Sequence, residues 1–404
     1  METIHTQNFV QYVKIIISKN ISDVRGEAMR KIICIPDSFK GTLSSSLVCD
    51  VMETVIHQHI PDCEVIKIQV ADGGEGSVDA FLAAVGGTKE FVQVNNPYFE
   101  PMESFYAILE GNVAVVEMAA AAGLPLVSDR ANPELTSTYG VGELILHAAH
   151  RGCKKIIVGL GGSCTNDGGC GAASAVGIRF KDVQGNEFIP TGKSLVDIDS
   201  IDVSNMDPVL HDVEIITMCD IDNPMFGEKG AAYVFGPQKG AYPEMVLRLD
   251  RGLRHLAKKI TEACNSDVST IAGGGAAGAM GAGMVAFFKS QLKMGIETIL
   301  DLVEFDQLIN DAELIFTGEG KIDEQSLSGK VPIGVARRAK RVNVPVIAVV
   351  GSIGKGFEDA YDQGITAIFS INSEPVDFAI AKARSEENLA LMMDNIMRIL
   401  NLQK

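Results

Sequence analysis

The sequence predicts an α/β protein in which a Rossmann- or flavodoxin-like doubly wound domain is interrupted by an inserted second α/β domain, leaving a ligand cleft between the two. Three observations carry this expectation. Apolar strand-like runs alternate with helical periods from Met29 onward, an antiparallel texture breaks that alternation between about Thr88 and Glu117, and the strand-helix alternation returns near the C-terminus.

In order along the chain, Ile32, Ile33, Cys34 and Ile35 form a buried-type strand within residues 31–36. Leu47, Val48, Val51, Met52, Val55 and Ile56 then recur at helical spacing, and residues 65–70 give a second strand. Residues 88–117 read as three strands with Gly111-Asn112 as a hairpin turn. Further strands fall at 155–160 and 213–218, then at 314–317, 344–350 and 367–371. A last helix carries Leu389, Met392, Ile396 and Leu400 on one face. The expected division is a discontinuous domain of residues 29–91 plus 288–404 around an insert of 92–287. Residues 1–28 are polar and aperiodic, which places them outside the core and makes Met29 the expected natural start.

Composition narrows the function classes. A chain of 404 residues, 46% of them hydrophobic, supports two cores, and a net charge of −17 argues against nucleic acid or an anionic membrane as partner. Eight cysteines without a CxxC pair suit a reducing cytoplasm rather than a disulfide framework or a zinc site. No apolar run reaches the roughly 18 residues of a membrane span, and no signal peptide is legible.

Four glycine-rich loops with carboxylates follow strand-like runs: Ala71-Asp72-Gly73-Gly74-Glu75-Gly76, residues 161–169, Cys219-Asp220-Ile221-Asp222-Asn223-Pro224, and Thr317-Gly318-Glu319-Gly320-Lys321-Ile322-Asp323. Glycine lets backbone N–H groups approach a phosphate, while carboxylates suit Mg²⁺, so together the loops indicate phosphoryl transfer. Standard nucleotide motifs do not account for them. Gly192-Lys193-Ser194 fails as a P-loop because Glu187 stands where the first glycine is required. Gly273 to Gly278 fits GxGxxG, but close helix packing explains it better than a nicotinamide site.

Asp37-Ser38-Phe39-Lys40-Gly41, the four loops above and Val234-Phe235-Gly236-Pro237-Gln238-Lys239-Gly240-Ala241 closely resemble the bacterial type I glycerate kinases, in the family's order from Met29 to the C-terminus. The resemblance implies transfer of the ATP γ-phosphoryl group to D-glycerate at the 2-hydroxyl, with ATP and Mg²⁺ as cofactors and small molecules as partners; a homo-oligomer stays open. Two positions depart from the family. Cys164 stands where a small residue is usual, and Lys321 where Arg is common.

Phosphoryl transfer needs a cation clamp, a metal and an oriented nucleophile. The expected catalytic residues are Lys40 as clamp, with Asp72, Asp167 and Asp323. Asp72 and Glu75 bind either metal or a substrate hydroxyl, unless they cap their turn. Asp167 competes with a helix-capping role, and Asp323 acts as base or orienter. Asp220 and Asp222 are the expected metal ligands. Asp37, Ser38, Gly73, Gly74, Glu75, Gly161, Gly162, Ser163, Thr165, Asn166, Glu319 and Lys321 are the expected substrate and phosphate contacts. His57, His59, His147, His150 and His255 read as structural, and Cys164 and Cys170 as thiols near the site open to oxidation. Rival readings are an NAD(P)-dependent oxidoreductase using Gly273 to Gly278, and a non-catalytic metabolite sensor, which has no need of so many loop carboxylates.

Overall fold

The computed structural model describes residues 29–39, 41–70, 73–374 and 376–401. Among them two large sheets are built from β1 (Lys31–Pro36), β2 (Glu64–Lys67), β3 (Thr88–Asn95), β4 (Pro101–Leu109), β5 (Val113–Glu117), β6 (Lys155–Gly159), β7 (Glu214–Met218), β8 (Gln291–Lys293), β9 (Leu314–Gly318), β10 (Val346–Val350) and β11 (Ala367–Ser370). The first sheet runs β11-β10-β9-β1-β2, all parallel. The second runs β8-β7-β6-β5-β4-β3, parallel from β5 to β8 and antiparallel from β3 to β5.

The strand chemistry follows from this placement. Every residue of β1, β9 and β10 is buried, as expected of parallel strands covered on both faces. By contrast β3 has several exposed positions and sits at the antiparallel edge, joined by β4 to the hairpin at Gly111 and Asn112. Both turn residues have positive φ, 77° and 58°, the requirement of a tight turn matched to strand twist.

Helix α1 (Ser45–His59) starts where the Ser44 hydroxyl accepts the Leu47 N–H, and it buries Val48, Met52, Val55 and Ile56. On the far side of the chain α2 (Ser77–Val85) packs on β3, β4 and β5, so it belongs with the second sheet although it precedes residue 92. The expected edges at 92 and 287 are therefore displaced. The β3 ladder already pairs Thr88 with Ile108, and β8 pairs with β7 as far as Lys293. Composition changes at those edges, but hydrogen-bond pairing decides where a sheet ends. In the last helix, Ser385–Asn401, Leu389, Met393, Ile396 and Met397 are buried, while Met392 and Leu400 only flank them.

Each sheet has an apolar cluster of its own, and a further cluster is shared between them. The shared cluster joins Ile33 and Ile35 of β1 to Phe81 of α2, Val115 of β5, Ile157 of β6 and Met218 of β7. Within the second-sheet half, a further contact is made by backbone. In the segment Ala276–Phe288, Ala277, Gly278 and Ala279 adopt left-handed φ of 55°, 66° and 68°, and the chain there lies directly on Thr165 and Asn166. A Cβ on Gly278 would overlap the Thr165 carbonyl oxygen. Gly152 has φ of 91° but open space around it. Gly152→Ala should thus cost about 1 kcal/mol of backbone strain, and Gly278→Ala about 3 kcal/mol or more because strain and overlap coincide. Urea unfolding of the two variants beside the parent chain measures the difference.

Candidate active site

Loops at the C-terminal ends of β1, β9, β6 and β7 converge on a cleft of about 420 Å³. Asp37, Gln325 and Lys330 line it from the first sheet; Gly161 to Ser163, Asp220 and Lys239 line it from the second. Within the first sheet the order along the chain is 2-1-3-4-5, which reverses between β1 and β9, and such a reversal opens a crevice at the strand ends.

Two carboxylates stand at that reversal. Pro36 pairs with Gly318 in register, so the next residues, Asp37 and Glu319, leave adjacent strand ends. The Asp37 N–H donates to the Gly318 carbonyl at 2.8 Å, and Asp37 Oδ1 accepts the Ser38 N–H at 2.6 Å. Glu319 is 5% exposed, and its Oε1 has no hydrogen-bond partner among the described residues. Burial pushes its carboxyl up to about 7, against the pull of the Ser326 hydroxyl and the Lys330 ammonium; Asp37 and Asp323 push it further up. Asp323 is the reverse case. Lys321 Nζ lies 2.8 Å from it and holds its carboxyl below the usual range, and it also accepts the Gln325 N–H.

On the second-sheet wall the glycines first serve loop packing. Gly161 N–H donates to the Gly73 carbonyl at 2.9 Å, and a Cβ on Gly161 would strike Gly74 Cα. Gly162 and Ser163 remain at the cleft, whereas Glu75 is exposed on the turn before α2. Lys239 Nζ donates to Ser163 Oγ and to the Thr165 carbonyl, both at 2.7 Å. Thr165 and Asn166 are fully buried, and Thr165 Oγ1 and both polar side-chain atoms of Asn166 lack partners. Asp220 faces the cleft and its Oδ1 accepts the Gly295 N–H at 2.7 Å; Asp222 is exposed and outside the lining.

Asp167 corrects an expectation. It has no exposed surface and accepts from Thr138 N–H and Oγ1, Gly169 N–H and Gly171 N–H. Three of these donors share Oδ2 and one sits on Oδ1, so the group is held inside the loop and outside the cleft lining, with burial raising its pKa against those hydrogen bonds. The expected site thiols are corrected too. Cys164 and Cys170 are buried, and burial pushes Cys164 up to about 12 and Cys170 well above its ordinary value, which removes the reactive thiolate.

The GxGxxG stretch follows turns rather than a strand, and a Cβ on Gly275 or Gly278 would overlap backbone carbonyls of Pro224 or Thr165. Protein backbone thus fills the approach a dinucleotide would need. The five histidines each bond within the fold, to Cys63 O, Asp394, Tyr106, Asp207 and Ile198 O respectively. Lys40 and Asp72 lie outside the described residues, as does the segment 1–28.

Residues 32–401 match the model of the glycerate kinase family. The chain belongs to that family. A glycerate kinase of Bacillus cereus is 44% identical over 371 residues, 91% of this chain and 97% of that one. The glycerate 2-kinase of Escherichia coli is 43% identical over 343 residues, 84% of this chain and 90% of that one. A crystal structure from Salmonella typhimurium LT2, 41% identical, covers 92% of this chain and 98% of its own with a TM-score of 0.80. Within this family fold, sequence reasoning passed over Lys239 and Lys330 as site residues. Lys239 sits inside the Pro237-Gln238-Lys239-Gly240 motif, and Lys330 immediately precedes the helix Val331–Arg341; both signals were present in the chain.

Two expectations separate bracing from chemistry. Asp167→Asn places an amide N–H₂ among donors, so it should cost about 2–4 kcal/mol in urea unfolding, whereas Asp323→Asn at the partly open loop should unfold like the parent chain. Glu319 gives a pH signature. Its folded-state pKa of about 7 lies above the roughly 4.3 of an unfolded glutamate, so the folded state binds the proton more tightly. Stability from this group is full below the unfolded value and is lost as pH rises through about 7, by about 4 kcal/mol in total. Glu319→Gln should flatten that slope when unfolding is measured between pH 5 and pH 8.

Proposed function

We propose that this chain transfers the γ-phosphoryl group of ATP to the 2-hydroxyl of D-glycerate, giving 2-phosphoglycerate. The observation that carries the reading is the cleft itself, where Asp37 of the first sheet, with buried Glu319 on the adjacent strand end, faces ammonium, hydroxyl and backbone groups from both sheets. The family membership supports ATP as donor and glycerate as acceptor. The name of the Escherichia coli relative supports the 2-position.

In this reading the strand order 2-1-3-4-5 is that of a flavodoxin-like doubly wound domain, and the second sheet is an insert between β2 and β9. The acceptor hydroxyl needs a group that takes its proton as the phosphoryl group arrives. Glu319 suits that task better than Asp323, because its pKa is near neutral and one of its oxygens is unpartnered, while Asp323 is tied to Lys321. Lys330, with the N-terminus of Val331–Arg341 behind it, offers positive charge to the phosphates; Asp37 orients the acceptor. The glycine loop at Gly161 to Ser163 supplies the opposite wall.

Among the described residues no three acidic, histidine or cysteine side chains form a metal cluster. That fits Mg²⁺, which keeps several waters and is held by one or two carboxylates together with substrate phosphates. Asp220 is the carboxylate placed for it, with Asp222 on the same loop at one remove. When bound, Mg²⁺ neutralises phosphate charge.

Incubation with ATP, Mg²⁺ and each glycerate enantiomer, followed by ³¹P NMR, should give 2-phosphoglycerate from the D form alone. Absence of any phosphoglycerate from folded protein would overturn the reading. Glu319→Gln should lower kcat by about 10²- to 10⁴-fold and remove its rise with pH near 7, whereas Asp220→Asn should instead raise the Mg²⁺ concentration needed for half-maximal rate.

A further inference from the structure

Lys239 is 2% exposed, and among the described residues its three ammonium protons have only two acceptors, both neutral: Ser163 Oγ and the Thr165 carbonyl. Among the described residues no carboxylate lies within ion-pair distance of it; the nearest acidic influence, Asp167, already accepts from four other donors. A buried ammonium without a counter-ion is costly, and folds keep one only where something neutralises it. The same wall holds three further buried polar atoms without partners, Thr165 Oγ1 and the Asn166 side-chain oxygen and nitrogen. Lys239 nonetheless lines the cleft. The deficit of negative charge is thus local and opens onto the substrate space.

We propose that the missing counter-ion is the carboxylate of the acceptor, so that Lys239, steadied by Ser163, is the residue that selects a hydroxy acid over an uncharged alcohol. This rests on the kinase reading above and adds which end of the acceptor goes where. The nucleotide phosphates are the other source of oxyanion, but they travel with a cation and have Lys330 and Asp220 on other parts of the cleft. A compact point charge with neutral neighbours suits a single carboxylate.

Burial lowers the ammonium to about 8, partly offset by Cys164 and Asp167. The groups around it are Cys164 and buried Asp167, with Asp220 from the same sheet and Asp37 and Lys330 across the cleft. Lys239 is charged below its pKa, so capture of the acceptor should weaken as pH rises above about 8.

Lys239→Met tests the assignment with four readings on the full chain. Its melting temperature without ligand should equal or exceed that of the parent, since the change removes an unneutralised buried charge. The KM for D-glycerate should rise about 100-fold, the order expected when one partner of a buried charge pair is lost, with the KM for ATP within a few fold. D-glycerate should no longer raise the melting temperature while ATP still does, and the fall of kcat/KM for glycerate above pH 8 should vanish. Ser163→Ala should show a smaller shift in the same direction. An unchanged glycerate KM with an unchanged alkaline limb, in a parent chain that phosphorylates glycerate, would overturn the proposal and leave the kinase reading standing. A shift confined to ATP would assign the ammonium to the nucleotide and also overturn it; a melting temperature lowered together with every kinetic constant would make the residue structural. A parent chain without glycerate turnover would remove both readings.

Discussion

The site depends on backbone approaching backbone more closely than any side chain would allow. Gly161 rests on Gly73 and Gly74, Gly278 on Thr165 and Asn166, and Gly283 on the Gly168 carbonyl. These contacts stack the loops after β6, the turn before α2 and the broken segment Ala276–Phe288 into one block. Close packing of this kind makes the block rigid, because a displacement of one loop is a collision for the next. The cleft wall that carries Ser163 and Lys239 is therefore fixed from behind, and three consecutive left-handed residues, two of them alanine, are held there by surroundings that leave no alternative.

Charge is distributed across the cleft rather than pooled in it. Asp37 and Glu319 come from adjacent strand ends of the first sheet, and Asp220 and Lys239 from the second. Burial is what keeps the Glu319 carboxyl near neutrality, with Asp37 and Asp323 adding to it, as expected when burial and like charges both disfavour ionisation. The overall charge of −17 coexists with this arrangement because the anion-facing groups are few and local.

Much of the architecture was legible because it rests on short-range signals. Buried strands such as Lys31–Pro36 and Val346–Val350 are continuous apolar runs, and the Gly111-Asn112 turn announces its hairpin. The sheet edges were not legible, since Thr88 and Lys293 owe their membership to partners distant in the chain. For the site, the glycine loops were legible as strand-following loops, but side-chain direction was not available. Asp167 stands in the strongest glycine loop and turns inward; Glu319 and Asp323 sit four residues apart with opposite electrostatics, one buried and one paired with Lys321. Lys239 belongs to a motif whose residue types signal a turn, and only burial reveals its unneutralised charge.

The long connection between β2 and β9 gives the first sheet its high contact order. Ile35 and Thr317 are 282 residues apart, yet the Thr317 hydroxyl donates to the Ile35 carbonyl at 2.8 Å in the centre of the first sheet. Closing so large a loop in a loose chain is entropically disfavoured, and an insert that has already folded shortens it to the gap between its two ends. Asp37 and Glu319 are neighbours through that same pairing, so the acidic corner of the site depends on strands held together across 282 residues of chain.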